Sequence, residues 1–240
     1  MVTNYRDEKF LKKYQIKTEE QWYTLYRPII QMLGNLEGKR VLDIGCGSGY
    51  LSYELFKQGA NVVGIDISDK WIEFCKEKYT INEKLNFFLA DGKDLKMFEN
   101  ENFDAVICNM VFLNVPKKTD VRKIFNEASR VLKKGADFIF SDLHPICLMT
   151  ENMPTRFQEY GRNFSYFKDG SEYNANIRLP NGEIITFKNK HWTLETYTKF
   201  LEESSMNIYR IIESQYPKDT PKKFYKYNIP EYIIFHCKKF

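Results

Sequence analysis

The chain has 240 residues, 43% hydrophobic and 28% charged, with a net charge of +4 from 36 basic and 32 acidic side chains. A chain of this length buries roughly 70–75% of its unfolded surface, so its core needs neither a disulfide framework nor a metal staple. No apolar run approaches the ~20 residues of a membrane span, and the lysines are interspersed with acids rather than gathered into the basic stripe of a nucleic-acid partner.

The polar opening, Met1 to Glu8, lacks the apolar core of a signal peptide, so the expected location is cytoplasmic. Residues Arg6 to Gly34 read as one or two helices, with Trp22, Leu25, Tyr26, Ile29 and Ile30 on an apolar face. Val41 to Ile44 is a short apolar strand. It runs directly into Gly45-Cys46-Gly47-Ser48-Gly49, after which Leu51, Leu55 and Phe56 recur at helical spacing. Val62 to Ile65 is the next strand, ending at Asp66, and Ser68 or Asp69 caps the helix that carries Trp71, Ile72, Phe74, Cys75 and Tyr79.

The alternation continues. Leu85 to Leu89 and Phe103 to Cys108 read as strands ending at Asp91-Gly92 and Asn109, and Thr119 to Leu132 as a helix with Gly135 past its end. Ala136 to Phe140 is a fifth strand, ending at Ser141-Asp142. Repeated strand and helix predict a parallel sheet with helices on both faces. From Pro145 to Lys190 helix signals are few. Tyr173 to Leu179 and Glu183 to Phe187 alternate around Pro180-Asn181-Gly182, a hairpin signal. An insertion at that point lies beside the carboxyl ends of the strands, where a lid or substrate wall is expected. Thr193 to Ser205 reads as a helix, and Ile208 to Ile212 and Tyr232 to Cys237 as two closing strands.

A glycine-rich turn before a helix lets backbone amides approach an anionic group. Several cofactors use one. Here the spacing is Gly-x-Gly-x-Gly, and Tyr50 fills the position where a dinucleotide fingerprint has a small residue. Asp43 lies two residues before the first glycine, where its carboxylate would repel a pyrophosphate and attract an ammonium group. Asp66 ends the second strand, at the place expected to hold ribose hydroxyls.

With these motifs the sequence resembles the class I S-adenosylmethionine-dependent methyltransferases, in particular the small-molecule group that includes the quinone-biosynthesis enzymes. The resemblance spans Lys39 to Leu143 and, more loosely, the C-terminal helix and strands. It rests on Val41–Gly49, Gly64-Ile65-Asp66-Ile67-Ser68, Ala90-Asp91-Gly92 and Val131–Ala136, in the family's order. It implies an α/β fold: a Rossmann-like, seven-stranded, mostly parallel sheet with helices on both faces, an N-terminal helical cap and a β-hairpin insertion after strand five. The expected division is a cap over 1–36, a cofactor-binding core over 37–143, an insertion over 144–191, and a closing helix and strands over 192–240.

The resemblance also implies roles. Asp43 and the turn Gly45, Cys46, Gly47 and Gly49 would face the methionine portion of S-adenosyl-L-methionine. Asp66 would bind the ribose, with Ile67 on the adenine. Asp91 would accept from the adenine amino group beside Gly92, and Asn109 and Met110 would line the site near the sulfonium. Arg27 or a nearby Tyr on the N-terminal helix would close over the methionine carboxylate. The acceptor would be a small molecule and the product S-adenosyl-L-homocysteine.

Methyl transfer chiefly requires alignment of a nucleophile with the sulfonium, and a general base helps only when the acceptor must lose a proton. Of three histidines, His144 follows the fifth strand and His191 ends the insertion, so these two are the catalytic candidates, while His236 sits inside a strand. Tyr166 and Tyr173 are candidates for an aromatic pocket. Asn109-Met110-Val111-Phe112 lacks the prolines of the nucleobase amino-methyltransferases. Cys108-Asn109 replaces the carboxylate of the metal-dependent catechol enzymes, so no metal is expected. Three other readings stay open: an RNA or protein methyltransferase, supported by the basic stretch at Lys218, Lys222, Lys223 and Lys226; a nicotinamide-dependent oxidoreductase, opposed by Asp43 and Tyr50; and a non-catalytic cofactor-binding protein.

Overall fold

The computed structural model describes residues 21–150, 156–178, 182–221 and 228–240, apart from the side chains of 156 and 157. A seven-stranded sheet forms the centre. Its strands are β1 (Arg40–Ile44), β2 (Asn61–Asp66), β3 (Leu85–Leu89), β4 (Phe103–Asn109), β5 (Leu132–Leu143), β9 (Met206–Glu213) and β10 (Tyr232–Lys239). The order is β3-β2-β1-β4-β5-β10-β9. β1 to β5 pair in parallel, and β10 runs antiparallel to both β5 and β9. The order reverses between β1 and β4, and open α/β sheets bind ligands at such a point.

Helices cover both faces, because each strand of the parallel part is apolar on both sides. On one face lie α1 (Arg27–Leu33, preceded by a π-helical turn at Trp22–Tyr26), α2 (Tyr50–Lys57) and α3 (Asp69–Lys78), packed around Leu25, Ile29, Leu51, Ile72 and Phe87. On the other lie α4 (Lys118–Val131) and α6 (Leu194–Glu203), packed around Val121, Phe125, Phe138, Phe200 and Phe235. The apolar stripe expected on the helix after β4 is the buried face of α4, with Val121, Ile124, Phe125, Ala128 and Val131 inward. Of the cap helices expected over Arg6 to Gly34, residues 1–20 lie outside the described residues; Leu25, Tyr26, Ile29 and Ile30 are buried as their spacing requires.

Three elements differ from the sequence expectation. Gly135 does not lie between helix and strand: β5 begins at Leu132, paired with Phe103, and Lys133, Lys134 and Gly135 bulge out before pairing resumes at Asp137 and Ala105. Gly135 supplies the φ of +73° that this bulge needs. A short helix α5 (Pro145–Met149) follows β5, with Pro145 in its first turn and His144 as its cap. The insertion is a three-stranded antiparallel sheet, β6 (Arg156–Tyr160), β7 (Ser171–Arg178) and β8 (Ile184–His191), rather than a hairpin alone. β7 and β8 are the expected hairpin, whose turn residues 179–181 lie outside the described residues. The sequence of β6, Arg-Phe-Gln-Glu-Tyr, carries no apolar alternation, and only long-range pairing with β7 makes it a strand. Tyr173, Ala175, Ile185 and Phe187 turn its inner face onto the same apolar cluster as α1 and α2.

Candidate active site

A cavity of about 340 Å³ opens at the carboxyl ends of β1, β2 and β4. Its walls include Gly45, Gly47, Asp66, Ile67, Asp91, Gly92, Asn109 and Met110, so eight of the expected site residues share one space. Trp71, Lys93, Asn114, Asp120 and Ile124 also line it. Sequence reading missed these five. Trp71 and Ile124 look like ordinary helix-face residues, and Lys93 and Asp120 like surface charges.

The glycine turn is shaped by its own hydrogen bonds. The amides of Gly45 and Cys46 donate to Ile65 O at 2.8 and 2.9 Å, and that of Gly47 donates to Asp66 Oδ2 at 2.9 Å. Gly45, Gly47 and Gly49 all have positive φ. A Cβ on Gly45 would stand 2.6 Å from Val111 Cγ2, so glycine is required there for the close passage of the chain as well as for its dihedral. Gly49 has Cys75, Tyr79 and Phe87 beneath it, and Cys46 is buried, so these two residues support the turn rather than line the cavity.

Asp43 is 2% exposed and accepts the Ser52 hydroxyl at 2.6 Å. It sits under the turn instead of at its mouth. Burial pushes its carboxyl up to about 7, partly opposed by Ser52, with Asp66 adding to the rise. Asp66 takes the Gly47 amide on one oxygen and the Ser68 amide on the other, while its carboxylate faces the cavity. Burial raises its pKa, and those backbone donors pull it back. Ile67 is 63% exposed at the mouth, an apolar surface suited to a flat ring.

Met110 has φ +57°, a conformation uncommon outside glycine. Its N–H donates to Ser141 O and Oγ at 3.2 and 3.1 Å, and its carbonyl accepts from Asn114 Nδ2 at 3.1 Å. Ser141 Oγ in turn donates to Asn109 Oδ1 at 2.7 Å. Two strands and the turn after β4 thus hold the end of β4 in a strained form, as structures do where a side chain must be aimed.

The remaining candidates lie elsewhere. Arg27 is paired with Asp219 at 2.6 Å and is not among the cavity's lining residues. His144 Nδ1 accepts the Ile146 amide at 3.1 Å, so Nε2 carries the proton and meets Glu213 at 2.9 Å. His191 lies in a narrow crevice with Asp142, Tyr173, Trp192 and Tyr197, just beyond β5. Its Nε2 donates to Tyr166 O at 2.9 Å, and burial holds its pKa below the ordinary value, so the ring is neutral and Nδ1 is an acceptor. Tyr166 packs on this ring at 4.7 Å and Tyr173 is buried beside it. Within the crevice Tyr197 donates to Asp142, and burial raises the pKa of both groups, Asp142 to about 7. His236 bridges to Asp137 at 2.7 Å within the sheet.

The donor set fits a nucleoside carrying a cationic tail. Asp66 and Asp91 offer acceptors suited to hydroxyl and amino groups, Ile67 and Ile124 offer apolar surface suited to a flat base, and Lys93, the one lysine among the described lining residues, is already engaged by acids.

Comparison with known proteins agrees. The family described as a methyltransferase domain matches residues 42–140. The chain is 28% identical to YqeM of Bacillus subtilis, named as a candidate methyltransferase, over 73% of this chain and 76% of that one. It is 32% identical to the ubiquinone biosynthesis O-methyltransferase of Hydrogenovibrio crunogenus over 116 residues, 48% of this chain and about half the length (47%) of that relative. An S-adenosylmethionine-dependent methyltransferase from Mesorhizobium loti superposes with a TM-score of 0.68 at 21% identity, covering 93% of this chain and all of that one. Order of strands, glycine turn and sequence relatives agree: residues 42–140 match a methyltransferase domain, carried on the fold of the Rossmann-like S-adenosylmethionine-dependent methyltransferases.

Proposed function

We propose that the chain transfers the methyl group of S-adenosylmethionine to a small-molecule acceptor by in-line displacement. The observation that carries this is the cavity at the strand-order reversal, whose lining brings together Gly45 and Gly47 of the glycine turn and Asp66. The ubiquinone-biosynthesis relative supports a small organic acceptor. In this reading Asp66 holds the ribose hydroxyls, and Ile67 and Gly92 flank the adenine. Asp91 accepts from the adenine amino group, Gly45 and Gly47 border the methionine, and Asn109 and Met110 stand nearest the sulfonium. S-adenosylmethionine supplies an electrophilic methyl group; the protein's part is alignment and exclusion of water, which together contribute about 7–11 kcal/mol in well-oriented systems. Asp43, buried beneath the turn, acts by fixing α2 through Ser52 rather than by touching the ligand.

Neutral His191, one strand beyond Met110, serves as the base when the acceptor must lose a proton. The insertion forms the wall on that side. The charge pattern supports neither a nucleic-acid nor a membrane partner. Among the described residues no helix is long and apolar enough to cross a bilayer, and we place the enzyme in the cytoplasm.

Titration calorimetry with S-adenosylmethionine and S-adenosylhomocysteine tests the reading. Wild type is expected to bind both, and Asp66→Ala to lose roughly 30-fold or more, the scale of two charge-assisted hydrogen bonds. Equal binding by Asp66→Ala, or none by wild type, overturns it.

A further inference from the structure

The Lys93 ammonium stands between two carboxylates at the cavity rim, 3.3 Å from Asp91 Oδ2 and 3.4 Å from Asp120 Oδ2. All three residues line the cavity. Asp91 and Lys93 belong to the turn after β3, and the Lys93 amide donates to Asp91 Oδ1 at 3.0 Å, fixing that carboxylate. Asp120 comes from the first turn of α4 and is the more sheltered partner, its side chain 16% exposed against 38% for Asp91.

We propose that Lys93 and Asp120 form a latch that tunes how far Asp91 favours an amino-bearing purine over an oxo purine. The proposal rests on the cofactor assignment given above. An ammonium shared by two acids neutralises part of the charge of each. A ring amino group that takes Asp91 as its acceptor must compete with Lys93 for it, and Asp120 keeps the lysine charge satisfied while it does so. A 6-oxo purine replaces the exocyclic amino donor that faces Asp91 by a carbonyl oxygen, which would accept from Lys93 instead, and leaves only the ring N1–H as a donor on that edge. The lysine therefore lowers affinity for adenine and raises tolerance of an oxo base, while Asp120 restores the balance toward adenine by holding the ammonium aside. Both acids raise the Lys93 pKa in spite of partial burial, so the lysine stays charged throughout the neutral range.

The experiment is a double-mutant cycle in calorimetry, using S-adenosylhomocysteine and S-inosylhomocysteine as probes of the full chain. Lys93→Met is expected to tighten S-adenosylhomocysteine by about 3-fold and to weaken S-inosylhomocysteine, as befits a half-exposed ion pair. Asp120→Asn is expected to weaken S-adenosylhomocysteine by about 3–10-fold in the presence of Lys93, and to do nothing in the Lys93→Met background. A structural role for Asp120 would give the same loss in both backgrounds. That result, or an unchanged ratio between the two probes in Lys93→Met, overturns the latch while leaving the cofactor assignment intact. Wild type that binds neither probe overturns both.

Discussion

The two spaces beyond the sheet's carboxyl edge are built in opposite ways. The cofactor cavity draws its walls from Ile44 to Ile124, mostly from the junctions where a strand passes into the next turn, with Trp71 added from α3 and Asp120 and Ile124 from α4. The crevice around His191 and Asp142 draws on β5, the insertion, α6 and β10, from Asp142 to Ile233. In the first, neighbours in space are neighbours in motif. In the second, Asp142 meets Tyr197 and Trp192 donates to Phe112 O across 55 and 80 residues of chain. Local junctions can be shared across a family whatever the acceptor, whereas long-range contacts can be rebuilt for each acceptor.

The largest expected effect separates the two regions through glycine. Gly45 and Gly182 have similar dihedrals, φ +71° and +83°, but a Cβ meets Val111 at 2.6 Å in the first and nothing within 4 Å in the second. Gly45→Ala is expected to weaken S-adenosylhomocysteine by about 100-fold or more, since the turn must move off Val111, whereas Gly182→Ala costs only about 1 kcal/mol of stability from backbone strain. Calorimetry and thermal melts on both variants decide it. Equal ligand affinities would mean that the turn adapts, and that the cavity is not organised by Gly45.

This contrast also explains what could be read in advance. Strands β1 to β4, the capping Ser68, the α4 stripe and eight cavity residues were legible because short-range chemistry places them: an apolar run, a glycine that only glycine can replace, an acid at a strand end. Asp43 was legible as important but not as buried, because its partner Ser52 lies on the next helix. Arg27 was expected near the ligand, yet Asp219, 192 residues away, holds it. β6, the Asp142–Tyr197 pair and the Lys93–Asp120 contact depend on pairings between distant segments, for which one sequence carries no period or spacing.

A second test turns on the crevice pair. Asp142 is buried and its pKa stands at about 7, above the ordinary 3.8. The folded protein therefore holds that proton more tightly than the unfolded chain does. Its contribution to stability is complete below pH about 4 and is lost as pH rises through about 7. Asn at this position keeps an acceptor for Tyr197 but does not titrate. The stability deficit of Asp142→Asn is expected to be larger at pH 5 than at pH 8, by about 2–3 kcal/mol, with S-adenosylhomocysteine affinity unchanged. Chemical denaturation at the two pH values measures this. A deficit independent of pH would show that the pair does not exchange its proton over this range, and lost ligand affinity would join crevice and cavity into one cooperative unit.

The smallest effect concerns the two histidines, which look equivalent in sequence because both lie at the ligand edge. Their ring nitrogens are committed differently. His144 spends both, Nδ1 on the Ile146 amide at the start of α5 and Nε2 on Glu213. His191 donates through Nε2 only, and its neutral ring leaves Nδ1 able to accept a proton. A histidine acting as a cap stabilises one helix end, worth about 1 kcal/mol, and removing it exposes no buried charge. His144→Ala is therefore expected to lower thermal stability by that amount while leaving kcat for methyl transfer within about 2-fold, since the base contributes 10²–10⁴-fold only where it touches the acceptor. His144→Asn, which can still cap α5, should recover most of the stability. A fall in kcat that the Asn variant fails to rescue would move the acceptor to the outer side of α5, and with it the boundary between the region that binds the donor and the region that selects what is methylated.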